Sequence, residues 1–163
     1  MRYRILSLIL ALCALSALFG CSKTTEYRDD LPTTDLADLV ADTLGSDSFA
    51  AMKESYLTGA MKLDLTLFSE YDVRINAYGA DIDEFGIFKT ADGVSVKDAV
   101  AELDKYLSFR LETWMDEYMP EEKPKLEKAE THSAGNYIMY VILSEENKAA
   151  ALKTFNDYLK TEG

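Results

Sequence analysis

Histidine occurs once in this 163-residue chain, as His132. A single imidazole excludes histidine-rich zinc sites and paired-histidine acid–base schemes. A Ser–His–Asp triad needs only one histidine, but Ser133 beside it falls in a turn signal and there is no Gly-x-Ser-x-Gly elbow. Glycines are isolated: Gly79 and Gly86 read as single turn or strand glycines, so no Gly-rich loop is present to cradle phosphate. Lys and Arg number 17 against 29 Asp and Glu, with no basic cluster. Such an excess of carboxylates repels phosphate backbones and anionic head groups, which makes nucleic acid a poor partner. Cysteine is limited to two residues, both near the start.

That start is informative. Met1-Arg2-Tyr3-Arg4 is a short basic opening, and Ile5 to Leu18 is an apolar run broken only by Cys13. A run of about 14 residues spans roughly 21 Å as a helix, short of the ~30 Å hydrocarbon core, so it reads as a secretory signal and not as a permanent span. Leu18-Phe19-Gly20-Cys21 resembles a bacterial lipobox, with an aliphatic residue at −3, a small one at −1 and Cys at +1. By that resemblance residues 1–20 are a lipoprotein signal peptide and Cys21 is the acylated N-terminus of an extracytoplasmic protein anchored to the cell membrane. An ordinary signal cleaved elsewhere and an uncleaved anchor are the alternatives. Two acyl chains at ~0.8 kcal/mol per buried CH₂ hold stably where one would exchange. Removing residues 1–20 takes away Arg2 and Arg4 and no acid, so the net charge of −12 becomes −14 over 143 residues. With Cys13 removed and Cys21 acylated, no thiol remains for a disulfide, a redox pair or a nucleophile.

Residues 21–32 are polar and charged and predict a lipid-anchored flexible linker that holds the domain off the membrane; residues 33–163 predict a single domain. "TTDLADLVADTLG" puts Leu36, Leu39, Val40 and Leu44 on one helical face, with Thr or Asp as cap and Gly45 as stop. Phe49, Met52 and Tyr56 suggest a second short helix. Residues 57–71 fit either a strand or a capped helical turn. "VRINAYGADIDEFGIFKT" reads as two strands around Gly79-Ala80-Asp81. Ser95 and Asp98 form a capping-box pattern ahead of Val96, Val100, Leu103, Leu107, Leu111, Trp114 and Tyr118, one long helix ended by Pro120. Leu126 to His132 and Tyr137 to Leu143 flank Ser-Ala-Gly-Asn as a second hairpin, whose strand "YIMYVIL" is apolar on both faces and therefore central. Ser144 caps a last helix with Glu145 and Glu146 at its positive end and Leu152, Phe155 and Leu159 inward. The order hairpin-helix-hairpin-helix predicts an α+β fold: an antiparallel sheet of about four strands with helices packed on one face, preceded by short N-terminal helices.

"DEFGIFK" (Asp83 to Lys89), the long helix, "YMPEE" (Tyr118 to Glu122), "GNYIMYVI" (Gly135 to Ile142) and the lipobox together resemble the family of domain of unknown function 4358 (DUF4358), small lipoproteins of Gram-positive bacteria. Phe85 and Gly86 depart from its usual pattern. The resemblance implies architecture and placement and carries no activity.

Candidate chemistry is thin. Asp81, Asp83, Gly86 and Asp92 fall at positions 1, 3, 6 and 12 of a calcium loop, but Phe85, Lys89 and Asp92 at positions 5, 9 and 12 supply too few oxygens, so no metal site is expected. Glu121-Glu122 or Asp83-Glu84 would serve as a hydrolase acid and base, yet neighbours on a strand point to opposite faces. The stripe Tyr106, Phe109, Trp114 and Tyr118 reads as core and helix–sheet seam rather than a sugar platform. No catalytic residue and no cofactor is expected. The function expected is a binding or accessory module at the cell surface, with a carboxylate-dependent envelope hydrolase or a structural subunit of a membrane complex as the other readings. Its partners would be the membrane, through Cys21, and an envelope protein or cell-wall ligand. Asp83, Glu84, Lys89 and Tyr118 are the candidate recognition surface.

Acylation gives the first prediction. A fatty-acid analogue fed to expressing cells should label the wild type and not Cys21→Ser, and only the wild type should need detergent to leave the membrane fraction. Label retained by Cys21→Ser rules out the anchor.

Overall fold

The computed structural model describes residues 25–45, 48–78 and 81–161. The chain folds as α1 (Thr33–Thr43), β1 (Phe49–Ala51), α2 (Glu54–Gly59), β2 (Phe68–Asn76), β3 (Glu84–Thr90), α3 (Val96–Glu112), α4 (Lys123–Glu127), β4 (Glu130–Ala134), β5 (Tyr137–Ile142) and α5 (Glu145–Leu159). The five strands form one antiparallel sheet in the order β1-β2-β3-β5-β4. The α+β class and the hairpin-helix-hairpin-helix order expected from the sequence are present, with β1 as a fifth, edge strand.

Helices on one face alone is the expectation that fails. All six residues of β5 are buried, and they divide by parity: Ile138, Tyr140 and Ile142 pack in one apolar cluster, and Tyr137, Met139 and Val141 in another. A strand apolar on both sides needs cover on both sides. α3 covers the first face with Ala99, Leu103, Tyr106 and Leu107, while α1 and α5 cover the second with Leu36, Val40, Ala151 and Phe155. The sheet is thus the middle of three layers, and the face left open in the one-sided arrangement is closed.

Local signals explain where the two longest helices begin. Ser95 accepts from Asp98 N at 3.1 Å and Ser144 from Asn147 N at 3.2 Å, so both long helices begin where their caps predict. α1 differs: Pro32 precedes it and offers no side-chain oxygen, and Glu70 of β2 instead accepts from Thr33 N at 3.2 Å. α3 stops at Glu112, not near Pro120. Asp116 and Glu117 would stand at the negative end of a longer helix, and Thr113 turns its hydroxyl back to Phe109 O at 2.7 Å. Trp114 and Tyr118 therefore lie in the turns after α3. The ambiguous stretch 57–71 contains three things: the end of α2, a 3-10 turn at Leu65–Leu67 capped by Asp64, and the start of β2. Phe49 lies in β1 and only Tyr56 of its expected helix partners lies in α2.

The stretch expected to be a flexible linker is docked from Glu26 onward. Tyr27 bridges to Lys160, Arg28 N donates to Leu159 O at 2.9 Å, and Tyr137 Oη donates to Leu31 O at 2.7 Å. Composition hid this because backbone groups do most of the holding, with Tyr27 and Leu31 the side chains that the described part of the leader packs on the second apolar cluster.

Gly86 is where sheet packing is tightest. A Cβ there would clash with the Tyr140 ring and come within 2.7 Å of Phe88 Cε2. Gly86 pairs with Tyr140 across β3 and β5, so the missing side chain lets that ring lie across the strand. Overpacking of this kind costs about 1–3 kcal/mol. Gly86→Ala should lower the urea midpoint by a corresponding amount with an unchanged slope; an unshifted midpoint would show that the ring has room to move.

Candidate functional site

β2 leaves the sheet at Asn76 and β3 enters it at Glu84. Among the described residues between them, Asp81 to Asp83 are tied down by polar groups. Asp81 accepts from Asp83 N at 3.1 Å and from Asn76 Nδ2 at 2.8 Å, an Asx-type turn. α4 clamps the turn from outside: Glu122 accepts from Ile82 N at 3.1 Å, and Lys125 Nζ donates to Asp83 at 2.6 Å and Glu122 at 2.7 Å. One oxygen each of Asp81, Asp83 and Glu122 lies within 4.8 Å of the others. The Lys125 ammonium supplies positive charge between two of them, where a cation would otherwise be needed.

Glu84, the next residue, is 2 % exposed. A buried carboxylate needs partners, and three side chains provide them. Tyr140 Oη and Tyr106 Oη donate to Oε1 at 2.7 and 2.5 Å, and Arg110 Nη1 donates to Oε2 and to the Tyr106 hydroxyl. Tyr106 and Arg110 are one helical turn apart on α3, so a single helix face delivers both. The Arg110 guanidinium also lies 5.7 Å from the centre of the Tyr106 ring.

The electrostatics follow from burial. Burial and then the Glu84 charge push the Tyr106 and Tyr140 hydroxyls far above the ordinary tyrosine range. For Arg110 burial acts downward, but Glu84 and Tyr106 together outweigh it through charge and hydrogen bonding, and the guanidinium is held more firmly protonated. Burial raises the Asp83 carboxyl above its ordinary value, against the opposing pull of Lys125. Lys125 loses some basicity to burial and regains more from Asp83 and Glu122, a net rise.

Part of this arrangement borders a cavity of about 460 Å³. Asp81, Asp83, Glu84 and Arg110 give it its charged wall; Met52, Ile75 and Ile82 give it an apolar one. Lys53 and Tyr56 come to it from the start of α2, and Ala51 from the edge strand β1. Three acids and two bases share a space of ligand size.

The residues expected as one recognition surface are dispersed. Asp83 and Glu84 do face the same cavity, because Asp83 precedes the strand and the alternation rule does not yet apply to it. Glu84 is buried in the network instead of standing at the surface. Lys89 is at the other end of β3 and on the other face, donating to Asp29 O at 2.7 Å and lying 5.4 Å from the Tyr137 ring centre. Tyr118 is exposed beyond α3 and packs on Trp114. Cys21 lies outside the described residues. His132 sits on β4, partly buried, between Asn156 and the edge of Phe155. Arg110, Tyr106 and Tyr140 escaped the sequence reading as a polar set. The signal available was an acid opening a strand whose next four residues carry no polar side chain, and two tyrosines at core positions, each hydroxyl needing a partner.

By fold and site the molecule is a three-layer antiparallel α+β domain with a polar-ended cavity beside its first hairpin. The chain belongs to the family described as domain of unknown function DUF4358, whose model matches residues 47–143. No curated protein and no solved structure matches it significantly. The matched segment holds the whole sheet, α3, α4 and every residue of the Glu84 network; α1, α5 and the docked leader fall outside it.

Two measurements check the network. Removing one partner of a buried ion pair costs about 3–5 kcal/mol, so Glu84→Ala should be strongly destabilised in urea, with Glu84→Gln between it and wild type. Near-wild-type stability of Glu84→Ala would show that the carboxylate is dispensable. In an alkaline absorbance titration, Tyr106→Phe and Tyr140→Phe should leave the native tyrosinate signal unchanged, since neither hydroxyl ionises before unfolding. Their folded values lie above the unfolded value of about 10, so the stability they confer is complete below that pH and is lost as pH rises beyond it. Wild type should therefore lose stability more steeply than Tyr140→Phe in that alkaline range.

Proposed function

We propose that this protein is an extracytoplasmic binding module, tethered to the membrane through lipid on Cys21, and that its cavity opens on the side away from the bilayer. The observation that carries the binding reading is that each carboxylate facing the cavity is already held by a donor of the protein: Asp81 by Asn76, Asp83 by Lys125, Glu84 by Arg110 and two tyrosines. A hydrolase acid or base must be available to move a proton. These groups instead hold a fixed arrangement of charge, which is what recognition needs.

The docked leader supports the orientation. Tyr27 is six residues from Cys21, a reach of at most about 20 Å. Tyr27 rests on Gly135, where an added Cβ would be 2.9 Å from Tyr27 Cβ, and the adjoining Asn136 O accepts from Thr90 N at 3.0 Å. The leader therefore meets the domain at the Thr90 end of β3. The cavity lies at the Glu84 end, six residues and roughly 20 Å along the strand. A lipid on Cys21 would hold the domain close to the membrane by its β4–β5 turn, without a long spacer.

With Cys21 acylated, an introduced cysteine is the sole free thiol. Fluorophores on Lys53→Cys, at the cavity rim, and on Asn136→Cys, at the turn, would be read against vesicles carrying a quencher on their head groups. The label at 136 should be quenched and that at 53 largely spared. Equal quenching, or stronger quenching at 53, refutes the orientation.

A further inference from the structure

The cavity wall carries two groups whose hydrogen-bonding capacity is incompletely used, and they are of opposite sign. Arg110 bonds through Nη1 alone; its Nε and Nη2 hydrogens have no partner among the described residues, although the side chain lines the cavity and is 25 % exposed. Asp83 receives Lys125 on Oδ1, and its Oδ2 has no partner among the described residues. Both groups are fixed in place before any ligand arrives. Glu84 and Tyr106 grip one corner of the guanidinium, and α4 holds Asp83 through Lys125. A guanidinium with an open edge matches a planar carboxylate, two parallel N–H donors to two oxygens. A half-buried carboxylate oxygen matches an ammonium.

We propose that the cavity binds a small zwitterion, an amino acid or a short peptide with free ends, whose carboxylate docks on the open edge of Arg110 and whose ammonium docks on Asp83 beside Asp81. This deepens the binding-module reading and rests on it. The charge balance selects against the simpler alternatives. With Asp81, Asp83 and Glu84 opposed by Lys53 and Arg110, the lining carries one net negative charge. A phosphate would add like charge to that wall and leave Asp83 Oδ2 unpaired. A plain amine would leave the guanidinium edge unpaired. A molecule with both ends satisfies both and adds no net charge. Met52, Ile75 and Ile82 provide a surface for a small aliphatic side chain, and about 460 Å³ is ample for one or two residues.

Calorimetry on the purified full chain in detergent tests this with alanine, L-Ala-L-Ala and D-Ala-D-Ala, each also as the N-acetyl and the C-amide form. At least one free-ended probe should bind with Kd of about 1 mM or tighter, and blocking either end should weaken it about tenfold. Free alanine outbinding the dipeptides assigns the site to amino acids; the reverse assigns it to peptide ends. Arg110→Lys keeps the charge beside Glu84 but lacks the fork, and should weaken the free-ended probe about tenfold while the C-amide form is hardly affected. Asp83→Asn should erase the difference between free and N-acetyl forms. If Arg110→Lys proves unstable, the C-amide comparison on wild type decides alone. Absence of binding by every probe, or binding indifferent to the C-amide, overturns the proposal. A photo-cross-linker at position 53 on intact cells separates the two readings: capture of an envelope component despite failure of all probes overturns the ligand class and leaves the binding module standing.

Discussion

The site is organised around one charge. Glu84 lies inside the first apolar layer, and an ion of that size in a low-dielectric interior carries a desolvation penalty of several kcal/mol unless it is paired and hydrogen-bonded. Tyr140 reaches it only because Gly86 has no side chain to obstruct the ring. Tyr106 and Arg110 reach it only because α3 is long enough to carry them one turn apart over the end of β3. α3 could therefore not slide by a turn, nor β5 slip by a residue, without leaving the carboxylate unpaired. Apolar packing tolerates such slips far better than a buried ion does.

Stability alone does not account for the arrangement. Apolar replacements for a buried ion pair are often neutral or stabilising, so a protein selected only to fold has little use for Glu84. What the pair adds is position. Arg110 is bonded at one corner and left open on the other, at the edge of a cavity, and its conformational freedom is removed before binding. Preorganisation of this kind lowers the entropic cost of recognition. The clamp of α4 on the Asp81–Asp83 turn does the same for the opposite charge.

Much of the fold was legible because its signals are local. The caps at Ser95 and Ser144, the two hairpins and the two-faced apolar strand depend on neighbours in sequence, and each is in place. Most of the departures are tertiary, the early end of α3 at Glu112 being the local one. The two-sided hydrophobicity of "YIMYVIL" predicts a central strand, and its consequence is a second helical layer that comes from distant segments. The cap of α1 comes from Glu70, 37 residues away, and no local pattern announces it. The leader looked like a linker because its docking uses backbone hydrogen bonds, which composition does not register. The site was half legible for the same reason. Asp83 and Glu84 stood out as acids near the hairpin, but their partners Arg110, Lys125 and Tyr140 come from three other elements. Lys89, grouped with them by nearness in sequence, is carried by strand geometry to the opposite end and face.

The boundary of the family match divides the molecule along its layers. Residues 47–143 contain the sheet, the α3 face and the cavity, and so everything the ligand would touch. That segment cannot stand alone, because Phe85, Ile87, Met139 and Val141 on its second face would be left in water. α1 and α5, from the two flanks, supply that cover, and the leader is then laid against the end of α5 and the ring of Tyr137. One flanking layer thus closes the core and also holds the docked leader from Glu26 onward. The network around Glu84 occupies the first face, so the layer that closes the core and the groups that define the cavity lie on opposite sides of the sheet.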